Sequence, residues 1–171
     1  MDNKILVTYA SKYGATVGIA EKIGETLRQA HLEVDIVPIT NHIDLSRYSA
    51  VILGSSVYVG RWRPEAIQFL ENNEEALKEK DFWVFSSGPT GLGDPADILD
   101  GWALPRTQKA IVDQIGAHDV ELFHGKIDLK KLDTLELLTI RTLRADAGDY
   151  RDWEAISEWA ELIASKLKQI S

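Results

Sequence analysis

Short β-branched runs alternate along the chain with longer stretches of helical period, the pattern of parallel strands joined by crossover helices. Lys4 to Tyr9 is nearly all apolar, as expected of a strand buried on both faces. Ala15 to Ala30 follows, with Ala20, Ile23 and Leu27 at helical spacing. Val34 to Val37, closed by Pro38, predicts a second strand, and Ala50 to Gly54 predicts a third. A helix starts near Pro64, a residue suited to a first turn because its missing N–H would be unpaired there; Ile67, Leu70 and Leu77 mark its inner face. Phe82 to Phe85 predicts the fourth strand, Thr107 to Ile115 a helix stopped by Gly116, and Asp119 to His124 the fifth strand. Leu129, Leu132, Leu135, Leu138 and Leu143 predict a short extra helix, expected to bury itself against the neighbouring sheet. Asp152 to Ile170 closes the chain with the cleanest period: Ile156, Trp159, Ala160, Ile163 and Leu167. The expected fold class is α/β, a three-layer, doubly wound, five-stranded parallel sheet forming a single domain over residues 1–171.

Composition narrows the chemistry. The 171 residues suffice for a substantial core, and 27 acidic against 19 basic residues give a net charge of −8. That balance repels phosphate backbones and anionic lipid, so no nucleic-acid partner is expected and charge lends no support to peripheral membrane contact. There are no cysteines, so redox chemistry would have to come from a bound cofactor. The start, Met1-Asp2-Asn3-Lys4 leading straight into Ile5-Leu6-Val7, does not read as a secretory signal, and the expected location is the cytoplasm. His31, His42, His118 and His124 are scattered and read as solvated loop or strand-edge residues; Asp94, Asp97 and Asp100 read as a solvated loop, and no metal site is expected.

Ligands of such sheets bind beyond the C-terminal strand edge, where the connections diverge. Three unusual loops leave that edge. Ser11-Lys12-Tyr13-Gly14-Ala15-Thr16 runs directly into a helix, whose unpaired amides and dipole suit a phosphate; an ordinary capped turn has the same composition. Val57-Tyr58-Val59-Gly60-Arg61-Trp62 sets two aromatics in a small-residue turn, suited either to stacking on a planar ligand or to covering the sheet end. Ser86 to Pro105 is a long glycine- and proline-rich loop, and its Ser87-Gly88-Pro89-Thr90 can turn backbone N–H groups toward a ligand. Neither a Gly-Lys-Ser/Thr ending nor a G-x-G-x-x-G is present, which argues against a P-loop NTPase and a dinucleotide fold. Together the loops describe a mononucleotide with a flat ring.

These segments, with the opening strand, resemble the flavodoxin-like FMN proteins over essentially the whole chain. The resemblance implies strand order 2-1-3-4-5 and FMN as cofactor. It implies a phosphate site at Ser11, Lys12, Tyr13, Gly14, Ala15 and Thr16, although short-chain flavodoxins usually carry Ser or Thr where Tyr13 stands. Val57, Tyr58, Val59, Gly60 and Trp62 would line one side of the isoalloxazine, with Ser87, Gly88, Pro89 and Thr90 on the other. No protein nucleophile is implied, since the cofactor carries the electrons. Gly148-Asp149-Tyr150-Arg151-Asp152-Trp153-Glu154 is similar to the flavodoxin-domain branch that includes menaquinone-dependent protoporphyrinogen oxidase. That placement implies a redox partner or quinone acceptor and a porphyrinogen substrate. The oxidase's basic, aromatic segment after the fifth strand is absent here. The alternatives are an NAD(P)H-dependent quinone reductase on the same scaffold and a flavin-free interaction module.

Overall fold

Five parallel strands carry the molecule: β1 (Lys4–Ala10), β2 (Glu33–Pro38), β3 (Ala50–Tyr58), β5 (Asp81–Ser87) and β6 (Asp119–Phe123). In the computed structural model, which describes residues 4–170, they pair in the order β2-β1-β3-β5-β6. The two-residue strand β4 (Arg61–Trp62) folds back antiparallel onto the end of β3. Leaving it aside, the order is the expected 2-1-3-4-5. The register brings Ile5 opposite Val34 on one side and Ala50 on the other, and Ile52 opposite Trp83.

Strand alternation divides the core into two layers. Ile5, Val7, Ile52 and Phe85 pack on one face against Ile19, Ile23 and Leu27 of α1 (Ala15–Gln29) and Ile156, Trp159 and Ile163 of α7 (Trp153–Ile170). Leu6, Val51, Leu53, Phe82 and Val84 pack on the other face against α2 (Pro64–Asn72), α3 (Glu74–Lys78) and α5 (Arg106–Ile115). Because both faces are covered, the central strands β1, β3 and β5 carry continuous apolar runs, while the edge strands β2 and β6 alternate.

Several boundaries differ from the sequence reading. The helix expected from Pro64 breaks at Asn73 into α2 and α3. β3 runs four residues beyond Gly54, and the turn Val59-Gly60 joins it to β4 with both residues at positive φ (50° and 69°). Such a turn matches the strand twist but suits a β-branched residue poorly, so Val59 is strained. The long loop holds a short helix, α4 (Pro95–Ile98), capped by Asp94 through Ala96 N at 2.8 Å. A further two-stranded hairpin pairs β7 (Lys126–Ile127) with β8 (Gly148–Asp149). Between them the Leu-rich segment forms α6 (Thr134–Leu143), preceded by a 3-10 turn at Leu129–Lys131. The expected burial of this segment against the sheet does not occur: α6 has no buried residue, and Leu135 and Leu138 are 77% and 64% exposed. The sheet is already full on both faces, so α6 has no strand surface left to cover. Among the described residues no helix is long and apolar enough to cross a membrane.

Gly54 in the middle of β3 shows how tightly the layers fit. A Cβ there would lie 2.1 Å from Phe85 Cζ, inside a fully buried ring. Gly54→Ala should therefore cost about 1–3 kcal/mol by overpacking, read as a lower urea midpoint, and Phe85→Leu in the same chain should recover part of the loss. A midpoint unchanged by the single substitution would mean the ring has room to move.

Candidate functional site

The winding direction reverses between β1 and β3, and beyond their C-terminal ends lies a cavity of about 640 Å³. Ser11, Lys12, Tyr13 and Ala15 line it from the first loop, Val57, Tyr58, Val59 and Gly60 from the second, and Ser87, Gly88, Pro89 and Thr90 from the third. Three segments that are distant in sequence thus meet on one wall. The close approach of the second and third requires a glycine: a Cβ on Gly88 would stand 3.0 Å from Val57 Cβ.

The first loop is shaped for an anion. Gly14 precedes α1 at φ 89°, and its N–H donates to Ser11 Oγ at 2.9 Å. A left-handed residue there turns the chain sharply into the helix, a geometry that costs glycine nothing. No side chain caps α1 and no acidic residue lies in its first turn, so the positive end of the helix faces the loop. Two wall residues carry hydroxyls, Ser56 Oγ and Thr90 Oγ1, that are buried without a hydrogen-bond partner among the described residues. Buried polar atoms are costly when unpaired.

Gly14, Thr16 and Trp62 are not on the cavity wall. Thr16 is fully buried, and its Oγ1 lies 3.1 Å from Ser87 Oγ. Trp62, expected to face a flat ring, is only 3% exposed and donates its indole N–H to Ser86 Oγ at 2.8 Å. It packs in the core layer beneath α2, because the fold-back of β4 turns it inward. Of the two aromatics in this turn, Tyr58 is the one on the wall.

The family model for the flavodoxin domain matches residues 6–154. The chain belongs to the flavodoxin-domain family. Membership indicates FMN as the cofactor. Among solved structures, rubredoxin oxygen:oxidoreductase from the anaerobe Desulfovibrio gigas is 16% identical with a TM-score of 0.67, covering 98% of this chain and 36% of that one. This flavodoxin-domain chain therefore spans about a third of the length of that protein. A flavodoxin from the domain Archaea is 18% identical at TM-score 0.61, with 96% and 99% of the two chains covered. Oxidised flavodoxin 2 from Bacillus cereus is 23% identical at TM-score 0.62, with 95% and 99% covered. At these identities the likeness speaks for the fold. No curated protein sequence matches the chain.

Much of the opposite wall was not anticipated from sequence. Ile98, Leu99 and Trp102 of the long loop, Gly125 to Asp128, and Leu132, Ile140, Leu143, Arg144 and Ala145 around α6 complete the cavity. The leucine spacing revealed a helix but not that the helix would wall a site. What ties it there is Glu136. Asp133 caps α6 by accepting from Glu136 N at 2.8 Å, while Glu136 Oε2 accepts from Asp133 N at 2.9 Å. The remaining oxygen, Oε1, accepts from both Lys12 Nζ and Tyr13 Oη of the first loop. Lys131 Nζ adds a bond to Tyr13 O at 3.3 Å, and Lys12 Nζ lies 4.2 Å from the centre of the Tyr58 ring.

The Lys12 ammonium, helped by the Tyr13 hydroxyl and the Asp133 N–H, pulls the Glu136 carboxyl down to about 2, and Glu136 in turn raises Lys12 above its ordinary value. A depressed carboxylate stabilises the fold above its unfolded value, 4.5, and that contribution disappears as the pH falls toward about 2. The side-chain carboxyl carbon of Glu136, followed by NMR, should titrate near the lower value, and Lys12→Met should move its midpoint up toward 4.5. A wild-type midpoint already at 4.5 would show that α6 is not clasped to the loop in solution.

Proposed function

We propose that the protein is a redox protein that binds FMN in this cavity and exchanges electrons with a partner. The observation that carries the reading is the convergence of an uncapped helix start, two wall residues with unpaired buried hydroxyls and a Tyr58-bearing turn on a single cavity. Ser11, Lys12, Tyr13 and Ala15 hold the phosphate, through the amides opening α1 and the Lys12 ammonium that Glu136 shares, and Gly14 and Thr16 support them. Thr16 does so from beneath, by fixing the first loop to Ser87. Val57, Tyr58, Val59 and Gly60 border one side of the flat ring, and Ser87, Gly88, Pro89 and Thr90 the other. Bound FMN supplies one- and two-electron transfer; the chain's own residues orient it and exclude water.

A second reading is favoured by the wall that the FMN loops do not provide. Leu132, Ile140 and Leu143 line the same cavity as Ile98, Leu99 and Trp102, an apolar lining suited to a large apolar co-substrate. Oxidation of a porphyrinogen with a quinone acceptor fits such a lining. Anaerobic assay of the FMN-loaded protein with protoporphyrinogen and menaquinone tests this, and NADPH with a quinone tests the reductase alternative.

Binding is tested first by colour and mass. Purified protein should show a flavin absorbance band and release one FMN per chain; a colourless protein that also fails to take up added FMN would end the reading. Tyr58→Ala should then weaken FMN binding by about 1 kcal/mol, near fivefold in Kd. Trp62→Phe should raise that Kd less than Tyr58→Ala does and lower unfolding stability by about 1 kcal/mol, through the unpaired Ser86 hydroxyl. The reverse pattern in titration and urea melts would return Trp62 to the ring.

A further inference from the structure

His124 lies just past the end of β6 and, contrary to the solvated position expected for it, is 8% exposed. Its two ring nitrogens both face backbone carbonyl oxygens of the third loop: Nε2 is 2.7 Å from Gly93 O, and Nδ1 is 3.1 Å from Pro89 O. Carbonyl oxygens only accept, and a neutral imidazole has a single N–H. The neutral ring therefore serves one carbonyl and turns a lone pair on the other, whereas the imidazolium donates to both. Pro89 O already accepts from Gly125 N at 2.9 Å, and Gly88 N donates to Phe123 O at 3.2 Å, so the end of β6 and the start of the loop run side by side. The ring bridges from that anchored start to Gly93, across the segment that borders the cavity.

We propose that His124 is a proton-linked staple of the loop from Ser87 to Gly93, which orders the loop with two hydrogen bonds when protonated and one when neutral, and thereby couples FMN retention to pH. The staple rests on its own geometry; the coupling rests on the reading that FMN sits against this loop.

Of the charged groups on the elements around it, Asp94, Glu121 and Asp149 are engaged elsewhere. In the loop, Asp94 caps α4. On β6, Glu121 accepts from Leu122 N, and its carboxyl is raised chiefly by burial. Across the β7–β8 hairpin, Lys126 sits opposite Asp149, which is paired with Arg151 at 2.6 Å. Asp146 lies beside Gly91. The titratable side chain in ring contact with His124 is Tyr150, with centroids 6.3 Å apart. Among the described residues no carboxylate forms an ion pair with His124, so its proton is linked to the loop carbonyls rather than to a neighbouring acid. Because the protonated ring makes the extra bond, loop order is greater on the acid side of its titration and smaller on the alkaline side.

The test follows the ring of His124 and the amides of Gly91 and Gly93 by NMR in the full chain from pH 5 to 8.5. Alongside it, FMN affinity is measured over the same range. The loop amides should move with the ring, and the Kd for FMN should rise threefold to tenfold on the alkaline side, the size of one hydrogen bond. Both steps should vanish in His124→Gln and persist in His118→Gln. A ring that keeps one protonation state throughout, loop amides indifferent to its titration, or a pH-independent Kd would overturn the proposal. The wild-type titrations decide it even if His124→Gln fails to fold. Absence of FMN binding at every pH would sink the functional reading and the coupling together, with the amide titration still deciding the staple.

Discussion

The last two residues of β5 hold the site in shape. Ser86 and Ser87 are both buried at the centre of the sheet edge, and strand alternation sends their side chains to opposite faces. Ser86 Oγ receives the Trp62 indole and so fixes the β3–β4 turn; Ser87 Oγ meets Thr16 Oγ1 and so fixes the start of α1. One dipeptide thereby ties the three loops to a common strand. Each loop can be glycine-rich and locally pliable because its base is held by a buried, fully paired polar contact.

That arrangement separates holding from binding. Thr16 and Trp62 look from sequence like ligand contacts but serve as struts beneath the wall, while Ser56 and Thr90 are the wall residues whose hydroxyls are left unpaired. The far wall is held differently, by the charge contact of Glu136 with Lys12 and Tyr13 rather than by burial. A helix with no buried residue depends on such contacts for its position. His124 gives the third loop a comparable dependence on a single side chain.

Membership of the flavodoxin-domain family accounts for the scaffold and the cofactor, and leaves the donor and acceptor to the details of this cavity. The apolar residues of α6 and of the long loop face the same space as the FMN loops, so substrate choice would reside in the segments least constrained by the sheet. These are the segments that differ most from a plain βα repeat.

The strands and the three loops were legible in the residues because each depends on local pattern: apolar runs for strands buried on both faces, helical spacing for α1 and α7, glycine where the chain turns into α1; the strand order followed from the family resemblance. The placement of Trp62, Thr16, Glu136 and His124 was not legible, since a side chain's partner there lies between 24 and 124 residues away. Periodicity marked the leucines of α6 as a helix but could not say that both sheet faces were already covered. Local sequence thus determined which elements form and where a ligand edge opens. Only the packed structure decided which of the polar and aromatic side chains face that edge and which are spent beneath it, because that choice depends on long-range pairing and the space left by other elements.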